Sequence, residues 1–353
     1  MSSWVEVSEA ALRHNLSLLR RFSRGALVAP VVKANAYGHG LELVARVLEA
    51  AGADWLCVNE LEEAARLHAA GSQVPVYVLG PTAPADSDVI AALGCHVVVS
   101  DLDQLQALAS AGERAARPVP IHLKLETGTH RQGTSLADLP SLVAAAAAWP
   151  GVRLAGLTTH LAAVEDETEH SFAHVQLRRF QEACALMPAG TLRHVAASAA
   201  DFLLPDATLD LIRPGIAIYG LWPSAETRLA VRLVHGPDVM LLPALRWKTR
   251  VVQVRDVEAG EWVGYGRTVR LERRSRLALL PVGYYDGYDR GLSGRGRVLI
   301  EGHLAPVLGR VAMNMTVIDV TEITDVQAGA EVLLLGPDHA ETTAEAMAER
   351  LGT

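Results

Sequence analysis

The sequence predicts an α/β protein: an N-terminal (β/α)8 barrel of the TIM type followed by a C-terminal all-β domain. Three observations carry this. The chain has 353 residues, beyond the roughly 250–300 at which a single hydrophobic core stops growing, so two domains are expected. Up to Ser224, short β-branched runs alternate with longer amphipathic or alanine-rich segments, the texture of repeated βα units. After Ser224 that alternation gives way to short strands between glycine-rich turns.

Element by element, Trp4–Val7 comes first. It precedes the first helix and is not needed for the barrel, so it is expected to join the β domain. The domains are therefore expected at residues 1–224 and 225–353, with that one strand exchanged. Barrel strands are expected over Ala26–Val32, Asp54–Val58, Pro75–Leu79, Cys95–Val99, Val119–Leu125, Arg153–Thr159, Leu192–Ala197 and Leu209–Ile212. Between them, Leu41–Ala50, Glu60–Ala70, Asp103–Ala111 and Thr168–Leu186 carry helical periodicity. Ala144–Ala148 reads as a helix interior, because alanine has the best helix propensity. An open doubly wound sheet would use the same alternation, but no Gly-x-Gly-x-x-Gly follows the first strand. In the second domain strands are expected at Leu245–Val254, Glu261–Val263, Arg276–Val282, Arg297–Ile300, Ala305–Leu308, Thr316–Val320 and Glu331–Leu335.

Composition limits the function classes. Half the residues are hydrophobic and only 20% are charged, which excludes a disordered chain. Lys and Arg number 32 against 40 Asp and Glu, a net charge of −8, so neither nucleic acid nor an anionic membrane is an expected partner. The basic stretches 267–276 and 290–297 read as solvated hairpins. Cys57, Cys95 and Cys184 are odd in number and widely spaced, which predicts reduced thiols and no disulfide framework, and no metal-ligand cluster stands out. The first residues lack a basic stretch followed by an apolar one, and no uncharged run reaches about 18 residues, so a cytoplasmic location is expected. Six of the seven tyrosines, Tyr37, Tyr219, Tyr265, Tyr284, Tyr285 and Tyr288, lie within two residues of a glycine, and only Tyr77 does not. Turns on a rigid scaffold are where sites are built.

Lys33 ends the first barrel strand in Val31-Val32-Lys33-Ala34-Asn35-Ala36-Tyr37-Gly38-His39-Gly40. A lysine at the catalytic rim of a barrel can be desolvated and so prepared to form a Schiff base. Ser198 follows the seventh strand, and Gly215-Ile216 open a turn after the eighth, where barrels commonly bind phosphate. The decapeptide resembles the pyridoxal-phosphate attachment motif of the alanine racemases. The resemblance runs from about Trp4 to Gly352, with ordered landmarks at residues 124–133 (KLETGTHRQG), 156–160 (GLTTH), 213–220 (RPGIAIYG), 264–268 (GYGRT), 281–290 (PVGYYDGYDR) and 309–320 (GRVAMNMTVIDV).

The resemblance implies a barrel followed by a β domain, pyridoxal 5′-phosphate as cofactor, and racemisation of alanine to supply D-alanine for peptidoglycan. It implies a homodimer whose active sites are shared, each β domain contributing to the partner's site. Lys33 and Tyr265 are then the two bases on opposite faces of Cα. Tyr37, Ser198, Gly215 and Ile216 contact the phosphate. Arg213 faces the pyridine nitrogen, and His160 bonds to that arginine. Arg131 and Met313 hold the substrate, and Lys124 occupies a position that is often carbamylated. Tyr284, Asp286, Arg290 and Arg310 match the family's substrate entryway. An arginine opposite the ring nitrogen cannot accept its proton, which suits proton return to Cα and discourages transamination.

Departures from the family pattern open alternatives. Ala197 stands where an asparagine is common, and Asn314 where an aspartate is common. The second change is also met in broad-specificity relatives, so a broad-specificity or serine racemase is an alternative. The chain ends at Thr353, before a family segment bearing a tyrosine that holds the phosphate. One lost hydrogen bond to a charged group is worth about 1.5–3 kcal/mol, so weaker cofactor retention is expected. A pyridoxal-phosphate-binding protein with little catalysis is thus a second alternative. Arg213 and the lack of a metal-ligand cluster disfavour a decarboxylase or aldolase.

Overall fold

The computed structural model describes residues 3–165 and 169–353. The chain divides into two compact units, Glu9–Leu242 on one hand and Met1–Ser8 with Pro243–Thr353 on the other. After β1 (Ser3–Val7), which belongs to the second unit, come eight barrel strands. They are β2 (Leu27–Val28), β3 (Leu56–Val58), β4 (Val76–Val78), β5 (His96–Val99), β6 (Val119–Lys124), β7 (Val152–Thr158), β8 (Leu192–His194) and β9 (Leu211–Ile212). β3 to β8 pair in parallel in sequence order, and β2 pairs in parallel with β9.

Two joins close the ring. Val31 bridges Cys57, whose N–H donates to the Pro30 carbonyl at 2.8 Å. On the other side the Asp210 N–H donates to the Arg193 carbonyl at 3.0 Å and the Arg213 N–H to Ala196 at 2.9 Å. The expected closed barrel is therefore what forms, and the open doubly wound sheet is excluded, since the last strand bonds to the first. β2 and β9 are much shorter than the expected runs. Pro30 and Pro214 follow them and lack the N–H that a ladder needs.

Helices surround the strands. Leu41–Ala50 spans the expected residues, and Leu61–Ala69 and Leu102–Arg114 lie within three residues of their predicted ends. The predicted helix Thr168–Leu186 starts on a residue outside the described set; its described part is Ser171–Cys184. Glu9–Phe22 buries Leu12, Leu16 and Leu19, one stripe of a 3.6-residue period. The expected boundary at residue 224 falls short of the compact unit, which runs to Leu242. Helix Ala225–His235 lies between them, capped by Ser224, whose hydroxyl accepts from the Thr227 N–H at 2.9 Å. The chain then returns to Glu9–Phe22, where buried Asn15 donates to the Leu242 carbonyl and accepts from its N–H, both at 2.8 Å.

The second unit adds β10 (Leu245–Arg250), β11 (Gln253–Val257), β12 (Trp262–Val263), β13 (Val269–Arg270), β14 (Ser275–Leu280), β15 (Arg297–Ile300), β16 (His303–Leu308), β17 (Thr316–Asp319) and β18 (Glu331–Leu335). Its eight-stranded sheet runs β1-β10-β18-β15-β16-β17-β14-β11, and its neighbours pair antiparallel. The core is hydrocarbon: Leu280, Val298, Ile318, Val332 and Leu334 are all buried. The unit is not purely β, because helix Ala344–Leu351 packs Met347 and Leu351 against that core. The expectation that turn tyrosines mark the site also needs correction. Tyr288 is buried in this core, because a glycine neighbour lets the backbone turn without deciding which way the ring points, whereas buried Tyr219 packs its ring 4.8 Å from that of Tyr37 in the barrel unit.

Candidate active site

A cavity of about 730 Å³ lies at the C-terminal ends of the barrel strands. Lys33, Tyr37, Lys124, Arg131, His160, Ser198, Arg213, Gly215 and Ile216 all line it. Each follows or ends a strand, so the parallel topology alone brings together residues up to 183 positions apart, from Lys33 to Ile216.

Lys33 opens an unusual turn. Ala34, Asn35, Ala36 and Tyr37 have φ near +55°, one turn of left-handed helix built without glycine. For L-residues this conformation costs about 1–2 kcal/mol each, so the surroundings must hold it. Buried Glu63 accepts from the Asn35 N–H at 3.0 Å, and the Asn35 side chain accepts from the Leu41 N–H at 3.0 Å. His39 Nδ1 meets the Ala36 and Tyr37 carbonyls at 3.0 and 3.1 Å. The polar residues of the decapeptide thus clamp the turn that carries Lys33 and Tyr37.

Loop 126–134 is organised by one carboxylate. Glu126 accepts from the Gly128 N–H at 2.5 Å, the Thr129 hydroxyl at 3.0 Å and the Arg131 N–H at 3.3 Å. Burial pushes its carboxyl up, but the His130 backbone N–H together with these donors outweighs burial and holds it below the ordinary value. Lys124, on β6, donates to Gln132 at 3.0 Å. Burial and then the charges of Arg131, Arg213 and Lys33 lower its ammonium to about 8. His160 is pushed down to about 3, by burial first and then by Arg213, Arg131, Lys124 and Lys33, so its imidazole is neutral. The cavity is a concentration of positive charge, suited to anionic groups.

Arg213 lies on the inward face beyond β9 and is almost fully buried. It donates to the Thr159 carbonyl at 2.9 Å, the Val195 carbonyl at 3.2 Å and Nδ1 of His194. Its imidazole partner in this structure is His194, where the family resemblance implied His160. His194 is the inward residue of β8, whereas His160 lies beyond the end of β7 and meets Gln176 through its backbone carbonyl. Ser198 Oγ accepts from the Gly215 and Ala217 N–H groups at 3.0 and 3.4 Å, tying the ends of β8 and β9 together. A Cβ on Gly215 would lie 2.6 Å from the Tyr37 hydroxyl, so only glycine lets that hydroxyl approach the backbone.

The remaining predicted residues belong to the second unit. Tyr265 sits in the turn between β12 and β13, with Gly264 and Gly266 at φ 70° and 76° beside it, and the residue is 74% exposed. The Arg310 guanidinium packs against the Gly266 backbone, 3.1–3.3 Å from where a Cβ would stand. Tyr284 and Asp286 form a short turn stitched to the Met313 segment: the Tyr284 N–H donates to Ala312 at 3.1 Å and the Tyr285 N–H to Met313 at 2.9 Å. Arg290 is exposed at the next turn.

Sequence reasoning missed His194, Gln132, Asn35 and Tyr77 as parts of the site. Tyr77, the one tyrosine without a nearby glycine, lines the cavity. For His194 and Tyr77 a signal was available, since both occupy alternating positions of short barrel strands.

Comparison with known proteins follows the same division. The description "Alanine racemase, N-terminal domain" matches residues 7–223 and "Alanine racemase, C-terminal domain" matches residues 244–353. The alanine racemase of Syntrophobacter fumaroxidans is 40% identical over 356 residues, covering 99% of this chain and 92% of the relative. Among solved structures, the alanine racemase of the D-cycloserine producer Streptomyces lavendulae superposes with a TM-score of 0.91 at 34% identity, covering all of this chain and 92% of the other. The Bartonella henselae alanine racemase, solved with covalently bound pyridoxal phosphate, gives 0.86 at 27% identity, covering all of this chain and 95% of that one.

Proposed function

The chain belongs to the alanine racemase family, and from that premise we propose that it interconverts L- and D-alanine with pyridoxal 5′-phosphate. In this reading it is a cytoplasmic homodimer with shared sites, supplying D-alanine for peptidoglycan. One observation carries the proposal. Lys33, Lys124, Arg131 and Arg213 converge on a single cavity together with a neutral imidazole and a hydroxyl-and-glycine cradle.

The residues fit that cofactor. Lys33 supplies the amine that would hold it. The Tyr37 hydroxyl over Gly215, with Ser198 at the adjoining strand ends, suits a phosphate. Arg213 donates but cannot accept, so it would leave the ring nitrogen without a proton. When bound, pyridoxal phosphate supplies the electron sink that acidifies the amino acid's Cα–H.

The rest is done by side chains. The Lys33 amine moves a proton at one face of Cα, and the Tyr265 hydroxyl, contributed by the other subunit, moves one at the opposite face. Arg131 pairs with the substrate carboxylate, Met313 offers its backbone N–H to the same group, and Gln132 holds Lys124 beside it. Carbamylation of Lys124 would turn a cation into an anion facing Arg131. Tyr284, Asp286, Arg290 and Arg310 form the substrate's route in.

The test is chiral analysis of L-alanine incubated with the purified protein, with and without added pyridoxal phosphate. D-alanine should accumulate to equality with L-alanine. The Lys33→Ala variant should lose this activity completely, together with the visible absorbance of the attached cofactor. A Lys33→Ala protein with normal turnover would end the assignment.

A further inference from the structure

Behind Arg213 the barrel interior holds something that barrel packing does not require. Interiors of this kind are filled mainly by branched aliphatic side chains. Here His96 on β5, His122 on β6 and His194 on β8 stand in one line. His96 Nδ1 lies 2.9 Å from His122 Nε2, His122 Nδ1 lies 2.8 Å from His194 Nε2, and His194 Nδ1 meets the Arg213 guanidinium. His122 and His194 are fully buried and His96 nearly so.

The backbone is adapted to this line. A Cβ on Gly156 of β7 would come within 2.2 Å of His122 Nδ1, so glycine there makes room for the ring. The β6–β7 register also shifts at His122, the kind of irregularity that re-aims a side chain. Tyr77 lies against the His122 ring at 4.4 Å, and the Trp55 edge meets His96 at 4.2 Å.

We propose that His194, His122 and His96 form an ordered hydrogen-bond chain that positions Arg213 as a purely donating cation against the cofactor's ring nitrogen. This rests on the role given to Arg213 above. The proton order follows from the one residue that has no choice. A guanidinium has no acceptor, so His194 Nδ1 accepts and its proton is on Nε2. His122 then accepts at Nδ1 and donates from Nε2 to His96, whose proton is likewise on Nε2. All three rings are neutral: burial opposes an imidazolium at each, joined by the Arg213 charge at His194 and His122 and by the Arg153 charge at His96. Among the described residues no carboxylate pairs with Arg213. Its charge is held by two carbonyls and by three imidazole dipoles aligned with their acceptor ends toward it, and such chains polarise cooperatively. Cutting the chain leaves Arg213 a stronger donor to the ring nitrogen and less well placed.

Nitrogen NMR of histidine-labelled protein, with and without pyridoxal phosphate, tests the order directly. The three rings should each carry a single proton on Nε2 and stay neutral between about pH 5 and 8. A proton on Nδ1 of His194 or His122, or an imidazolium, overturns the chain. His122→Phe keeps a ring against Tyr77 and removes both bonds. It should lower kcat about tenfold to a hundredfold, leave KM for alanine within about twofold, move the ring-nitrogen resonance of labelled bound cofactor, and raise the transamination by-product. His96→Phe, at the far end, should move the same quantities less, and His194→Phe more. Equal effects along the series, or an unmoved ring-nitrogen resonance, would make the histidines mere filling and overturn the proposal. If His122→Phe does not fold, His96→Phe and the proton positions decide. Wild-type protein that takes up no pyridoxal phosphate defeats the functional reading instead, while the proton positions in the cofactor-free protein still decide the chain.

Discussion

The two units bury different chemistry. In the barrel unit Glu63, His96, His122, Lys124, His194, Asp201 and Arg213 are all withdrawn from water. In the β unit the buried polar residues are the hydroxyls of Thr249, Ser275, Thr316 and Thr342, with the phenol of Tyr288, around a hydrocarbon cluster. Burying a charge is unfavourable unless it is paired or solvated by dipoles. The barrel therefore spends stability on a polar interior that serves its cavity. The β unit keeps an apolar core and carries the residues proposed for chemistry outside, on turns such as those of Tyr265, Tyr284 and Met313, all of them exposed.

The largest test of this contrast lies at the exposed end. Tyr265→Ala should lower proton abstraction from one enantiomer by about 10²–10⁴-fold and leave exchange from the other far less affected. Deuterium incorporation from D₂O into L- and D-alanine, followed separately, measures this. Equal loss for both enantiomers would remove the assignment of the two bases to opposite faces. Folding stability should change little, since the residue is largely exposed.

Next in size is the β core. Leu334→Ala empties a fully buried site and should lower unfolding free energy by about 2–5 kcal/mol in urea titrations. A loss under about 1 kcal/mol would mean that the cluster is loosely packed and that the contrast between the units is overstated.

The smallest effect separates the two interiors by pH. Both Asp201 oxygens lack a hydrogen-bond partner among the described residues, and burial pushes the carboxyl up to about 8 although Arg24 opposes this. The unfolded chain ionises near 3.8. Stability that is full below that value is therefore lost as pH rises toward about 8, and it levels off above. Asp201→Asn removes this slope, so across that window the variant should gain on wild type by up to a few kcal/mol. A difference between the two proteins that is constant with pH would mean that Asp201 is already ionised in the folded barrel.

Much of this was legible in the chain. The barrel strands announce themselves as β-branched runs, and the β unit as short strands between glycines, because period and turn chemistry are local properties. Lys33, Ser198 and Gly215 were legible by their place at strand ends, and Tyr37, Lys124 and Arg131 through the family resemblance, whereas Tyr77 and Gln132, which also line the cavity, were not. The helix Ala344–Leu351 was not, since it is only eight residues long and carries just two large apolar side chains, Met347 and Leu351. The partner of Arg213 was not either: His160 and His194 are both histidines near strand ends, and only the inward pleat of β8 selects one of them.

By itself the sequence determined the architecture, the lysine at the first strand's end and the family to which the chain belongs, since each rests on residues close together or on ordered motifs. Tertiary structure alone decided three things: that Lys33 sits on a left-handed turn clamped by Glu63, that Tyr77 faces the cavity while Tyr288 is buried, and that three histidines line up behind Arg213. Each depends on which side chains from separate strands meet inside a closed ring, and that is set by register and packing between distant segments.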